Sequence, residues 1–152
     1  MTERLRAVLD TNVIVSAALS RNANSPTREL LKRWEREEFV LLICNALNDE
    51  IIEKLIERDV TTLTIAQQTA LLKELAEWVE VPDDAIIKVL SDADDDVIVA
   101  CAVQGKAQYI VTYDPHFDSL GGEYQGIKIV KAIPFLEVLR QESQRGNEKD
   151  SA

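Results

Sequence analysis

Acidic side chains fall at four separated places where a folded chain could gather them for chemistry. Asp10 ends a short apolar run, Arg6-Ala7-Val8-Leu9, and the Thr11-Asn12 that follows can hold a turn by side-chain hydrogen bonds. Glu50 lies in Asn48-Asp49-Glu50, one step from an apolar helical stripe, with Asp49 and Glu53 as its competitors. Asp92-Ala93-Asp94-Asp95-Asp96 packs four carboxylates into five residues. Asp114 follows Ile110-Val111-Thr112-Tyr113 and precedes Pro115. Taken singly, Asp10 reads as a helix cap, Glu50 as a solvated helical glutamate and Asp114 as a turn residue.

The run Asp92–Asp96 resists such an account. A helix N-terminus favours an acid by roughly 0.3–1 kcal/mol. Two like charges ~4 Å apart repel by about 4 kcal/mol at an effective dielectric near ~20. Capping and the helix dipole explain one or two of these acids, and a cation explains the group better. Asp96 is the preferred ligand because it opens the apolar stretch Val97–Ala102, which reads as a buried helix; Asp95 is its rival. Ligands that are all oxygen suit Mg²⁺ or Mn²⁺ rather than zinc. Such a cation lowers the pKa of a bound water and neutralises phosphate charge. Thr112 is placed to hydrogen-bond neighbouring carboxylates.

The elements that must position these acids alternate between strand and helix. Strands are predicted at residues 6–9, 39–43, 79–81, 109–112 and 127–130. Helices are predicted over 11–19, 26–37, 46–56, 64–78, 91–104 and from Pro134 onward. Ser25-Pro26 supplies an N-cap and a first-turn proline, and Asn45 is placed to cap the next helix. Thr64 to Gln67 and Ser91 to Asp94 have capping-box spacing, and Gly105 stops the helix before it. The alternation implies an α/β, three-layer α/β/α sandwich with a mostly parallel central sheet. Ligands of such sheets bind beyond the carboxyl ends of the strands, so Asp10 and Asp114 are expected on one edge.

These residues carry a family resemblance. From about Arg6 to Leu139 the chain resembles a PIN domain (PilT N-terminus-like), the nuclease fold of many prokaryotic toxin–antitoxin modules. The matching motifs are Val8-Leu9-Asp10-Thr11-Asn12-Val13 with Ser16, then Asn48-Asp49-Glu50-Ile51-Ile52, Asp92–Asp96 running into Ala100-Cys101-Ala102, and Ile110-Val111-Thr112-Tyr113-Asp114. The resemblance implies that Asp10, Glu50, Asp96 and Asp114 are the catalytic, metal-binding acids, with Asp95 the alternative to Asp96. It makes Asn12, Ser16 and Thr112 supporting polar groups. Tyr113 stands where relatives usually carry Gly or Arg. The resemblance also implies a Mg²⁺- or Mn²⁺-dependent endoribonuclease, a homodimer, and inhibition by a cognate antitoxin.

Composition sets the remaining bounds. The 152 residues suit one domain with a real core, expected over 1–140, with a flexible polar tail over 141–152. The net charge of -10 argues against a protein held on nucleic acid by bulk electrostatics. The acid is unevenly spread: residues 1–36 carry seven Lys/Arg against four Asp/Glu. Arg28, Lys32 and Arg36, preceded by Arg21, recur on one helix face. They read as a solvated face or as contacts to RNA phosphates. No apolar run is long enough to span a membrane, and the N-terminal run is too short for a signal-peptide core, so a cytoplasmic location is expected. Cys44 and Cys101 read as reduced, buried thiols. His116, the single histidine, neighbours the proposed site and reads more simply as a loop residue. The five glycines form no nucleotide-cradling motif. Two other functions compete. One is a catalytically silent, partner-binding module of the same fold. The other is an aspartyl-nucleophile phosphatase, which would place a second acid where Asn12 stands.

Overall fold

Continuous apolar runs form the middle of the sheet, because a strand buried on both faces has no polar side to offer. In the computed structural model, which describes the backbone of residues 3–150 and side chains as far as residue 146, β1 (Leu5–Leu9) and β2 (Phe39–Ile43) are such strands. They are joined by β3 (Glu77–Trp78), β4 (Tyr109–Val111), β5 (Glu123–Tyr124) and β6 (Ile127–Val130) in the order β3-β2-β1-β4-β6-β5. Every pairing is parallel except β5 with β6. Among the described residues six α-helices cover the sheet: α1 (Thr11–Leu19), α2 (Pro26–Glu35), α3 (Asn45–Glu57), α4 (Thr62–Leu75), α5 (Ala93–Gln104) and α6 (Ala132–Asp150). The result is the expected mostly parallel α/β sheet with helices on both sides.

Packing follows from the side chains. Helix α5 carries Ile98, Val99, Cys101 and Ala102, all buried, and rests on β1, β2 and β4. An all-round apolar helix is what a core position requires. On α6, Phe135 stands edge-on to Phe39 with ring centres 5.2 Å apart, and lies 5.1 Å from Tyr109. Each such side chain contributes about 1.5–3 kcal/mol by leaving water. Cys44 and Cys101 are free and buried. No helix among the described residues is long and apolar enough to cross a membrane.

Several local expectations shift. Thr61, not Thr64, caps α4: its hydroxyl accepts from the Thr64 amide at 3.2 Å, so the helix starts earlier. The third strand occupies Glu77–Trp78 rather than 79–81, because Leu42 and Ile43 pair with those two residues and the chain then runs on to Pro82. Helix α3 starts at Asn45, and its N-cap, Cys44, makes no side-chain capping bond. Helix α6 begins two residues before Pro134, whose missing N–H costs nothing in a first turn. It then continues to Asp150 through residues read above as a flexible tail. Leu136 and Leu139 are buried and anchor it, and the polar residues beyond are good helix formers. The last two residues of that tail lie outside the described residues.

Candidate functional site

From β1 the chain winds outward through β2 and β3, then returns to lay β4 on the other side of β1. This reversal opens a crevice at the carboxyl ends of β1 and β4, where open α/β sheets bind ligands. Leu9 pairs with Val111 in register, so the residues after each strand meet. The Asp10 amide donates to the Val111 carbonyl at 2.9 Å. The Asp10 carboxylate accepts from the Thr11 amide at 2.7 Å, the Asn12 side-chain amide at 3.2 Å and the Thr112 hydroxyl at 2.7 Å. Asp10 therefore both caps α1 and is aimed by the end of β4. Thr112 Oγ1 accepts from the Asp114 amide at 2.9 Å, and Asn12 Oδ1 accepts from the Tyr113 amide at 3.1 Å. Asn12 and Thr112 are thus the braces between two loops about a hundred positions apart. Ser16 lines the crevice, with its hydroxyl 3.4 Å from that of Thr27.

Asp10, Asp95 and Asp114 each offer an oxygen within 4.8 Å of the others. They lie in a recess of about 710 Å³ that Glu50 also lines, from α3. Of the four acids expected to meet, Asp10, Glu50 and Asp114 thus share one recess. Asp96 does not join them: its Oδ1 accepts from the amides of Val89 and Leu90 at 2.9 and 2.7 Å. It is Asp95, the expected rival of Asp96, that enters the recess. Neighbouring residues of a helix point about 100° apart, so one faces the recess while the other holds the loop before α5.

The electrostatics suit a cation. Burial raises the Asp10 carboxyl above its usual range, against the pull of Thr112, and the Asp114 charge adds to the rise. Burial likewise lifts Asp95 to about 6; the His116 contact lowers it, while the Asp114 and Asp10 charges raise it. Burial and then the Asp10 charge raise Glu50. His116 Nδ1 lies 3.1 Å from Asp95 Oδ2 and 3.3 Å from Asp114 Oδ1, and the Asp95 contact followed by the Asp114 charge raises its pKa. Acids whose charge is costly when alone are stabilised by a divalent ion, and carboxylate oxygens suit Mg²⁺ or Mn²⁺. Thr11 supports the fit: it lines the recess, it is 5 % exposed, and its hydroxyl makes no hydrogen bond of ordinary geometry, though it lies close enough to Glu50 to lower that carboxyl's pKa.

The basic face of α2 lies elsewhere. Arg28 donates to the Ser20 carbonyl and Lys32 to the Ala23 carbonyl, and both line a separate recess against Gln68. Arg36 is the C-cap of α2, and Arg21 is exposed ahead of that helix. The cations that line the acidic recess are Lys54 and Arg58, which the sequence reading passed over. Their signal was spacing, since they follow Glu50 by four and eight residues.

Comparison with known proteins agrees with this fold. No curated protein matches the sequence. Solved structures do match in fold. VapBC2 from Rickettsia felis, bound to a DNA fragment from its promoter, superposes with a TM-score of 0.59 at 12% identity, over 82% of this chain and 97% of that one. The sarcin-ricin loop cleaving toxin VapC20 of Mycobacterium tuberculosis gives 0.54 at 17%, over 80% and 98%. FitAcB from Neisseria gonorrhoeae gives 0.51 at 17%, over 83% and 97%. At these identities the likeness establishes the fold. The PIN domain family model matches residues 6–116, from the first strand to the histidine beside the acids, and the chain belongs to the PIN domain family.

Proposed function

We propose that this chain is a Mg²⁺- or Mn²⁺-dependent endoribonuclease that hydrolyses phosphodiester bonds of RNA, and that it is the toxin of a toxin–antitoxin pair. The observation that carries the reading is the set of three carboxylates, Asp10, Asp95 and Asp114, with oxygens within 4.8 Å at the sheet's crevice. Family membership and the similar sarcin-ricin loop cleaving toxin support RNA as the substrate.

In this reading the three acids would hold the divalent ion, which would supply charge neutralisation for the phosphate and a more acidic water. Asp10 keeps its orientation through the Thr112 and Asn12 bonds, and Thr112 fixes the Asp114 backbone as well. Glu50, on the α3 wall, has a raised pKa and is the carboxylate placed to accept a proton from the attacking water. Thr11 offers its hydroxyl to the same space. The catalytic unit occupies 1–140. Homodimerisation, a cytoplasmic location and inhibition by a cognate antitoxin belong to the same proposal, and FitAcB and VapBC2 make the antitoxin the partner to seek.

The test is cleavage of single-stranded RNA with Mn²⁺ by wild type, Asp10→Asn and Asp95→Asn. Loss in both variants is expected. Equal cleavage by all three would refute the mechanism.

A further inference from the structure

Glu50 and Lys54 of α3 and Arg58, its C-cap, recur every fourth residue, so each stands about 6 Å along the helix axis from the last. All three line the acidic recess. The wall therefore changes sign along its length, from the carboxylate beside Asp10 to Lys54 and Arg58 at the helix's end, where Glu57 is the one acid between them. Opposite it, α1 packs against α3 and presents Val15 and Leu19, also four residues apart. A helix C-terminus favours cations anywhere around its rim, but here both point into one cavity. Lys54 lies 3.3 Å from Glu57 in a half-exposed pair, which is worth little and leaves the ammonium available. Arg58 makes no ion pair among the described residues.

Among the described residues Lys54 and Arg58 are the only cationic side chains that line this recess, against the acids Asp10, Glu50, Glu57, Asp95 and Asp114, so a polyanion entering it finds attraction at those two positions and at a bound cation. The chain as a whole offers little help, since its net charge is -10. We infer that Lys54 and Arg58 form a phosphate subsite that holds the single RNA strand on one side of the scissile bond, with the intervening nucleoside lying against Val15 and Leu19. The inference rests on the ribonuclease proposal. It names the part of that same recess that sets the direction of the strand.

The experiment measures binding and cleavage separately in the full chain. Fluorescence anisotropy follows a labelled single-stranded oligoribonucleotide in Ca²⁺ over a range of salt, and steady-state cleavage is measured with Mn²⁺. Lys54→Gln and Arg58→Gln are each expected to weaken binding about ten-fold. Each should make the salt dependence shallower by about 0.7 in log–log slope. KM should rise with kcat unchanged, the mark of lost uniform binding. Lys54→Arg should bind as wild type does. Lys106→Gln, beyond the far end of α5, controls for bulk charge and should also leave binding unchanged. Variants that bind as tightly as wild type, with the same salt slope, would overturn the subsite and leave the ribonuclease proposal standing. So would a loss confined to kcat. Wild type that neither binds nor cuts RNA would overturn both.

Discussion

Adjacent acids at the start of α5 have opposite work, and substitution should separate them. Asp96 accepts from two backbone amides, of which Leu90's is buried and Val89's partly so. Asp96→Ala removes the acceptor and keeps both donors. A buried donor left unpaired costs about 1–3 kcal/mol and a partly buried one about 1 kcal/mol, so the two together cost about 2–4 kcal/mol. In a chain of this length each kcal/mol moves the melting temperature by about 2–4 °C. The metal-free protein should therefore lose roughly 4–16 °C. Asp95→Asn should do the reverse. Burial and two neighbouring carboxylates make the Asp95 charge costly, so the amide should leave the metal-free protein as stable or more so. The assay is thermal unfolding with and without Mn²⁺. Mn²⁺ at a hundred times its Kd stabilises a binding-competent protein by about 2.7 kcal/mol, or roughly 5–11 °C. Asp96→Ala should keep that gain and Asp95→Asn should lose it. A wild-type baseline with a lost Mn²⁺ gain in Asp96→Ala, beside a retained gain in Asp95→Asn, would refute the assignment.

Thr112→Val removes the hydroxyl that donates to Asp10 and accepts from Asp114; it should cost about 1–3 kcal/mol in urea unfolding and cut activity through misaimed acids. Mn²⁺ affinity should fall as pH drops through about 6, because protons compete for Asp95, and a flat titration between pH 7.5 and 5 would contradict this. The sign reverses without metal: Asp95 has a folded pKa above its ordinary 3.8, so its ionisation opposes folding above about 6, and metal-free stability should rise as pH falls through that value. Gly105→Ala should cost about 1–3 kcal/mol by overpacking, since a Cβ there would sit 2.9 Å from both Leu42 and Val79 side chains; denaturant midpoints measure it.

Asp10 and Asp114 were legible in sequence because a strand's end is marked by where its apolar run stops, and parallel strands put such ends together. Whether Asp95 or Asp96 faces the recess was not legible. The choice turns on a single residue's rotation within a helix, and on loop amides at 89 and 90 that no local pattern announces. The third strand was misplaced for a related reason. Val79 and Val81 look strand-like, yet pairing is decided by how far β2 reaches, and only Leu42 and Ile43 are left to pair. The polar end of α6 looked unanchored because its anchor, Phe135 against Phe39 and Tyr109, is tertiary. Lys54 and Arg58 were visible as residues but not as a wall, since nothing in α3 alone shows that α1 lies across from it.

The bond from Thr112 to Asp10 joins residues 102 positions apart. During synthesis Asp10 is made early and waits for β4 to be made and laid beside β1. At 5–20 residues per second, that wait is on the order of 5–20 s. Throughout it Asp10 has only the local bonds from Thr11 and Asn12, without the Thr112 bond that completes its orientation or the acids of α5 and of the loop after β4 beside it. On the proposed function the acidic site is incomplete for that interval, which a partner translated nearby would have in which to arrive.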